Sequence, residues 1–154
     1  MQFINRRSLL LGSAAAFLAA PSGAEPQTAI HVVKGTGCEC CDQWAIYLRD
    51  QGFAVTDEER YGTLLIRFKM DLGVPPRVYS CHTGMVEGYA LEGHIPAADI
   101  RRLLEERPEA IGLAVPGMPY GSPGMGRESA REAYDVLLIR RDGTTEVFTS
   151  YLAA

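Results

Sequence analysis

Apolar residues recur along this chain with two alternating periods, and the alternation predicts a mixed α/β architecture. Ala29 to Val33 reads as a short buried strand, broken by Gly35-Thr36-Gly37. From Cys41 to Gln51 the spacing changes: Cys41, Trp44, Ala45 and Leu48 recur every three or four residues and predict a helix, with Gly52 as its stop. Phe53 to Thr56 reads as a second strand. Tyr61, Leu64, Leu65, Phe68 and Leu72 mark a second amphipathic helix, ended by Gly73 and the Pro75-Pro76 pair. Arg77 to Cys81 and Met85 to Leu91 read as hairpin strands around His82-Thr83-Gly84. Pro96 opens a third helix on Ile100, Leu103 and Leu104, and Pro108 closes it. Asp135 to Arg140 and Thr144 to Tyr151 form a last hairpin across Asp142-Gly143, a favoured two-residue turn.

The predicted order, βαβαββα followed by a C-terminal β-hairpin, is a thioredoxin-like arrangement. Its first helix starts at Cys38-Glu39-Cys40-Cys41. Free amides and the dipole at a helix N-terminus favour anions, so a thiol placed there ionises more readily. Folds of this kind often set a cis-proline before the third strand, opposite the cysteines; Pro75 or Pro76 occupies that place. Cys81 is then expected near the far end of that strand or its turn, within reach of the cluster.

Residues 1–24 stand apart from this pattern. Arg6 and Arg7 precede an apolar run from Leu9 to Ala20, shorter than the roughly 20 residues that a membrane-spanning helix needs. Ser22-Gly23-Ala24 follows with small residues, so the segment reads as a signal peptide cleaved after Ala24, of twin-arginine or general secretory type. Both routes lead out of the cytoplasm, to a periplasmic location. Residues 25–154 are then expected to form one domain without membrane insertion. Losing the two arginines of the signal takes the formal charge from −4 to −6. Lys34 and Lys69 are the only lysines and the arginines are scattered, which argues against nucleic acid as a partner.

Chemistry concentrates in the sulfur residues. Three clustered thiols and the distant Cys81 make a poor plan for structural staples, because Cys40 and Cys41 are adjacent. They suit a soft metal or electron transfer. Gly117 to Gly126 holds Met118 and Met125 among glycines and prolines, so these methionines are not a helical core stripe. Thioether beside thiolate favours Cu(I) over harder ions. Of the three histidines, His31 reads as a packed or edge residue of the first strand. His82, in a turn beside Cys81, either ligates a metal or caps the turn, and His94 precedes a helix. Glu39 and Asp42 read as first-turn acids complementing the helix dipole.

Several segments together carry a family resemblance: Gly37-Cys38-Glu39-Cys40-Cys41, Gly73-Val74-Pro75, Ser80-Cys81-His82-Thr83-Gly84, Gly88-Tyr89, Glu92-Gly93-His94-Ile95-Pro96 and Met118 to Met125. In this order they resemble the CopG-like periplasmic copper-resistance family, long catalogued as a domain of unknown function and distinct from the plasmid repressor of the same name. The likeness runs from about Ile30 to Tyr151, with Glu39 where the family usually has glycine. It implies a thioredoxin-like domain holding a cysteine-bridged cluster of several copper ions, a role in copper tolerance, and interconversion of Cu(I) and Cu(II). Carried onto this chain, Cys38, Cys40, Cys41 and Cys81 are the thiolate ligands, Met118 and Met125 cap the site, and His94 or His82 adds a nitrogen. Other periplasmic copper carriers or exporters are the implied partners. Three alternatives stand beside it: a thiol-disulfide oxidoreductase using Cys38 and Cys41, a passive copper carrier, and a domain stapled by two disulfides.

Overall fold

The computed structural model describes residues 27–154, so the segment read as a signal peptide lies outside the described residues. The chain runs β1 (Ala29–Gly35), α1 (Glu39–Asp50), β2 (Ala54–Arg60), α2 (Gly62–Asp71), β3 (His82–Val86), β4 (Tyr89–Glu92), α3 (Ala97–Glu106), β5 (Ala110–Ala114), β6 (Tyr134–Arg140) and β7 (Thr145–Tyr151). The seven strands form one sheet in the order β2-β1-β3-β4-β5-β6-β7. β1 pairs with β2, and β4 with β5, in parallel; the other neighbours are antiparallel. Each parallel pair is joined through a helix, as a parallel crossover requires.

Burial follows the predicted periodicity for α1, whose Cys41, Trp44, Ala45 and Leu48 are buried. Trp44 is fully enclosed by the core that includes Ile30, Leu48, Leu91, Ile95 and Ile100, and its indole N–H donates to the Ile95 carbonyl at 2.9 Å. In α2 the inward residues are Leu65 and Lys69. Tyr61 and Leu64, read from the sequence as part of the apolar stripe, are exposed.

The third and fourth strands correct the sequence reading. Pro76–Val78 is a 3₁₀ turn rather than part of a strand, and no cis peptide bond occurs among the described residues. β3 starts at His82, so the hairpin turn falls at Glu87-Gly88, where both residues have positive φ, as a two-residue type I′ turn requires. Cys81 thus precedes the strand instead of closing it.

Three strands, not a hairpin alone, follow α3. β5 is a short, almost wholly buried apolar run that pairs with β4 and gives the final hairpin its edge. The hairpin also docks on α3, where buried Asp99 accepts hydrogen bonds from the Thr149 hydroxyl at 2.5 Å and the Tyr151 hydroxyl at 2.7 Å. Asp142 closes the β6–β7 turn by accepting from the Thr144 backbone N–H.

Candidate metal centre

The cysteines gather at the N-terminal end of α1 because the helix begins inside their cluster. Cys38 is the cap residue, in extended conformation, and its carbonyl accepts the Asp42 N–H. Glu39 and Asp42 lie in the first turn as expected. Asp42 also pairs with buried Lys34, tying the helix start to β1. Cys38 and Cys41 are joined in a disulfide; Cys40 and Cys81 are free thiols. Cys40 Sγ lies 3.6 Å from Cys38 Sγ and 3.7 Å from Cys81 Sγ. All four sulfurs fall within 4.8 Å of one another.

Two imidazoles also approach Cys81. His82 Nδ1 is 3.3 Å and His94 Nε2 3.5 Å from the Cys81 sulfur. His82 does not sit in a turn: it is the first residue of β3, fully buried, packed tilted against Trp44 at 4.4 Å and edge-on to His94 at 4.9 Å. Its Nε2 is buried without a hydrogen-bond partner. The His94 ring faces the Pro123 carbonyl with Nδ1 at 2.9 Å. Donation to that carbonyl puts the proton on Nδ1 and leaves the Nε2 lone pair toward Cys81. His31 lies elsewhere on β1, beside Thr56 and Glu58 of β2.

The two loop methionines part company. Met125 is half-buried and, with Glu39, Cys40, Gln43 and Tyr120, lines a shallow cavity of about 290 Å³. Met118 is 53% exposed. Its neighbour Gly117 accepts a hydrogen bond from the Ser80 hydroxyl at 2.9 Å, which moors that end of the loop one residue from Cys81. Gly124 lets the loop lie on α1: at φ +83° a Cβ there would meet the Trp44 backbone nitrogen at 2.7 Å.

A buried polar group under the site escaped the sequence reading. Lys69 and Glu92, 2% and 0% exposed, form an ion pair at 2.5 Å, and Thr83 bonds to both. The available signal was Lys69 on the buried side of α2, four residues after Leu65. A lysine at such a position calls for a buried acid.

Electrostatics leave the donors in different states. Burial, reinforced by the neighbouring Cys40 sulfur, pushes the Cys81 thiol up to about 12, so a metal must displace its proton. Burial also pushes His82 well below the usual histidine range and His94 below it. Neutral imidazole is the form that ligates. Thiols, imidazoles and a nearby thioether form a donor set that fits copper, and His82 Nε2 is a buried ring nitrogen with no hydrogen-bond partner. The Cys38–Cys41 disulfide withholds two of the four thiolates until it is reduced.

Fold and site together define a mixed α/β protein with a convergent cluster of cysteines and histidines that could hold a metal ion. Residues 78–125 match a family model described as a protein of unknown function, DUF411. Two solved structures are similar to the chain. One, titled copper resistance protein CopG form 1, has 42% sequence identity and a TM-score of 0.77, and the match covers 83% of this chain and 100% of that one. The other, form 2, has 43% identity and a TM-score of 0.75, with 82% and 99% covered. None of the curated proteins matches. The chain belongs to the CopG-like copper-resistance family.

Proposed function

We propose that the protein binds copper in the periplasm, holding several Cu(I) ions in a cysteine-bridged cluster and interconverting Cu(I) and Cu(II). The observation that carries this reading is the convergence of four sulfurs within 4.8 Å, with two imidazoles also grouped with Cys81. In the reduced protein Cys38, Cys40, Cys41 and Cys81 supply bridging thiolates, and His94 and His82 add nitrogen. Met125 caps the site from the cavity beside Cys40, and Met118 completes it by a movement of its loop. The order β2-β1-β3-β4 with three helices supports a thioredoxin-like core. Residues 1–24 serve as the export signal, and residues 25–154 work as one domain. Copper carriers or exporters of the same compartment deliver and remove the cargo.

The titles of the two CopG structures support copper resistance as the setting. The Cys38–Cys41 disulfide supplies a balanced redox step: two thiols and two Cu(II) give one disulfide, two Cu(I) and two protons. The same bridge favours a second reading, a thiol-disulfide oxidoreductase in which Cys38 and Cys41 exchange with a substrate disulfide. The test is to load reduced residues 25–154 with Cu(I) under anaerobic conditions and measure copper per chain. More than one ion per chain is expected, with losses in Cys38→Ser and Met118→Leu. Binding below one ion, or indifference to both changes, sinks the cluster. Reduction of insulin disulfides by the metal-free protein establishes the second reading instead.

A further inference from the structure

We infer that Glu92 is a positioning residue of the copper site, fastening the chain on both sides of the Cys81–His82 pair. This rests on the copper-binding reading above. Glu92 is fully buried at the end of β4. Its Oε1 accepts the Ser80 backbone N–H at 2.5 Å, and its Oε2 accepts the Thr83 hydroxyl at 2.6 Å. Ser80 and Thr83 are the residues immediately before and after Cys81 and His82. One carboxylate therefore brackets the two adjacent residues that turn a sulfur and an imidazole toward the site. Lys69 reaches in from α2 and donates to the Thr83 hydroxyl at 2.8 Å and to Oε1 at 2.5 Å, which holds the carboxylate in place.

The bracket acts where the sheet ceases to do so. The β3–β4 ladder pairs Thr83 with Glu92 as its last partners, and beyond it the His82 carbonyl accepts the Gly93 N–H. Cys81 and Ser80 lie outside the strand. Close approach here depends on Gly93, where a Cβ would meet the Ser80 hydroxyl oxygen at 2.7 Å and the Val115 carbonyl at 2.6 Å. Stability alone is a weak account of the ion pair, since buried pairs are often replaceable by apolar residues without loss. An apolar replacement cannot hold the Ser80 N–H and the Thr83 hydroxyl. Partners that orient metal ligands are typically worth about 10–100-fold in affinity.

Thr83→Val tests the bracket, since it removes the hydroxyl and keeps the branched shape. Cu(I) affinity is measured by competition with a chromophoric chelator, together with the near-ultraviolet thiolate-to-copper band of the reduced protein. We expect affinity to fall about 10–100-fold with an altered band, and Thr83→Ser to restore both. Val136→Ala, a core truncation on β6, should lower the melting temperature and leave affinity and band unchanged. If Thr83→Val fails to fold, Lys69→Met with Glu92→Leu makes the same test without a buried charge, and the same loss is expected. Wild-type affinity and band in whichever of these variants folds overturn the positioning role. So does an equal loss in Val136→Ala at matched melting temperature. Failure of the wild-type protein to bind Cu(I) is a separate result: it overturns the copper reading, and the positioning role with it.

Discussion

The sulfurs of Cys40 and Cys81 lie 3.7 Å apart although 41 positions separate them in sequence. Both remain free beside the Cys38–Cys41 disulfide. Two thiolates suffice for one Cu(I), whereas a bridged cluster needs more. We expect the disulfide-bonded protein to hold fewer copper ions than the reduced protein, with capacity rising once Cys38 and Cys41 are reduced. Elemental analysis of copper per chain before and after reduction decides this; equal counts rule it out.

Trp44 gives the site an intrinsic reporter. It is the chain's only tryptophan, and its ring lies 4.4 Å from that of His82. Copper bound beside Cys81 should quench its fluorescence, in proportion to occupancy and with saturation at the copper count. Cys81→Ser should remove most of that response. Unchanged emission on loading would place the metal elsewhere. Trp44→Ala should cost the fold about 3–5 kcal/mol, as truncation of a buried aromatic does.

Acid should weaken the metal-free protein. Burial lowers His82 and His94 below the ordinary histidine value of 6.5. Above that pH neither the folded nor the unfolded state carries these protons, so the stability is fully present. As pH falls through 6.5 the unfolded chain takes them up and the folded protein does not. Stability then falls by up to about 1.4 kcal/mol per pH unit for each histidine, until the folded rings also protonate. Melting temperatures between about pH 7.5 and 5.5 should show this slope, and His82→Phe should flatten it. A slope indifferent to that substitution would assign the effect to other groups.

Gly124→Ala should loosen the methionine loop. The new Cβ meets the Trp44 backbone at a position whose positive φ already disfavours a side chain. Strain of this kind typically costs about 1–3 kcal/mol. Because His94 bonds to the neighbouring Pro123 carbonyl, weaker Cu(I) binding should accompany the lower melting temperature. Full affinity in a protein that melts early would mean the loop has no part in the site.

Much of this was legible in the residues because it is local. The stripe of Cys41, Trp44, Ala45 and Leu48 marked α1, and the thiols at its start marked the site. The Asp142-Gly143 pair marked the last turn. What stayed hidden depends on distant contacts. The sequence reading put the hairpin turn at His82-Thr83-Gly84, whereas Gly84 is a buried strand residue packed against the Trp44 ring. β5 carries no turn signal of its own and is held by β4 and β6. Lys69 and Glu92 find each other only once α2 lies against β3 and β4. Whether Met118 belongs with Met125 could not be read from their shared loop, and in this structure they face different surroundings.

The sheet divides the candidate ligands into a fixed jaw and a moving jaw. His82 is built into β3, a strand flanked by β1 and β4, with Cys81 directly before it and His94 just past the end of β4. His82 cannot travel without disturbing the centre of the sheet, and Cys81 and His94 are attached directly beside its strands. Opposite them stand Cys38 and Cys40, at a helix end whose disulfide can open, and a loop carrying Met118 and Met125. A change in the number or charge of bound ions is therefore expected to be absorbed on that side, where the disulfide can open and Met118 is exposed.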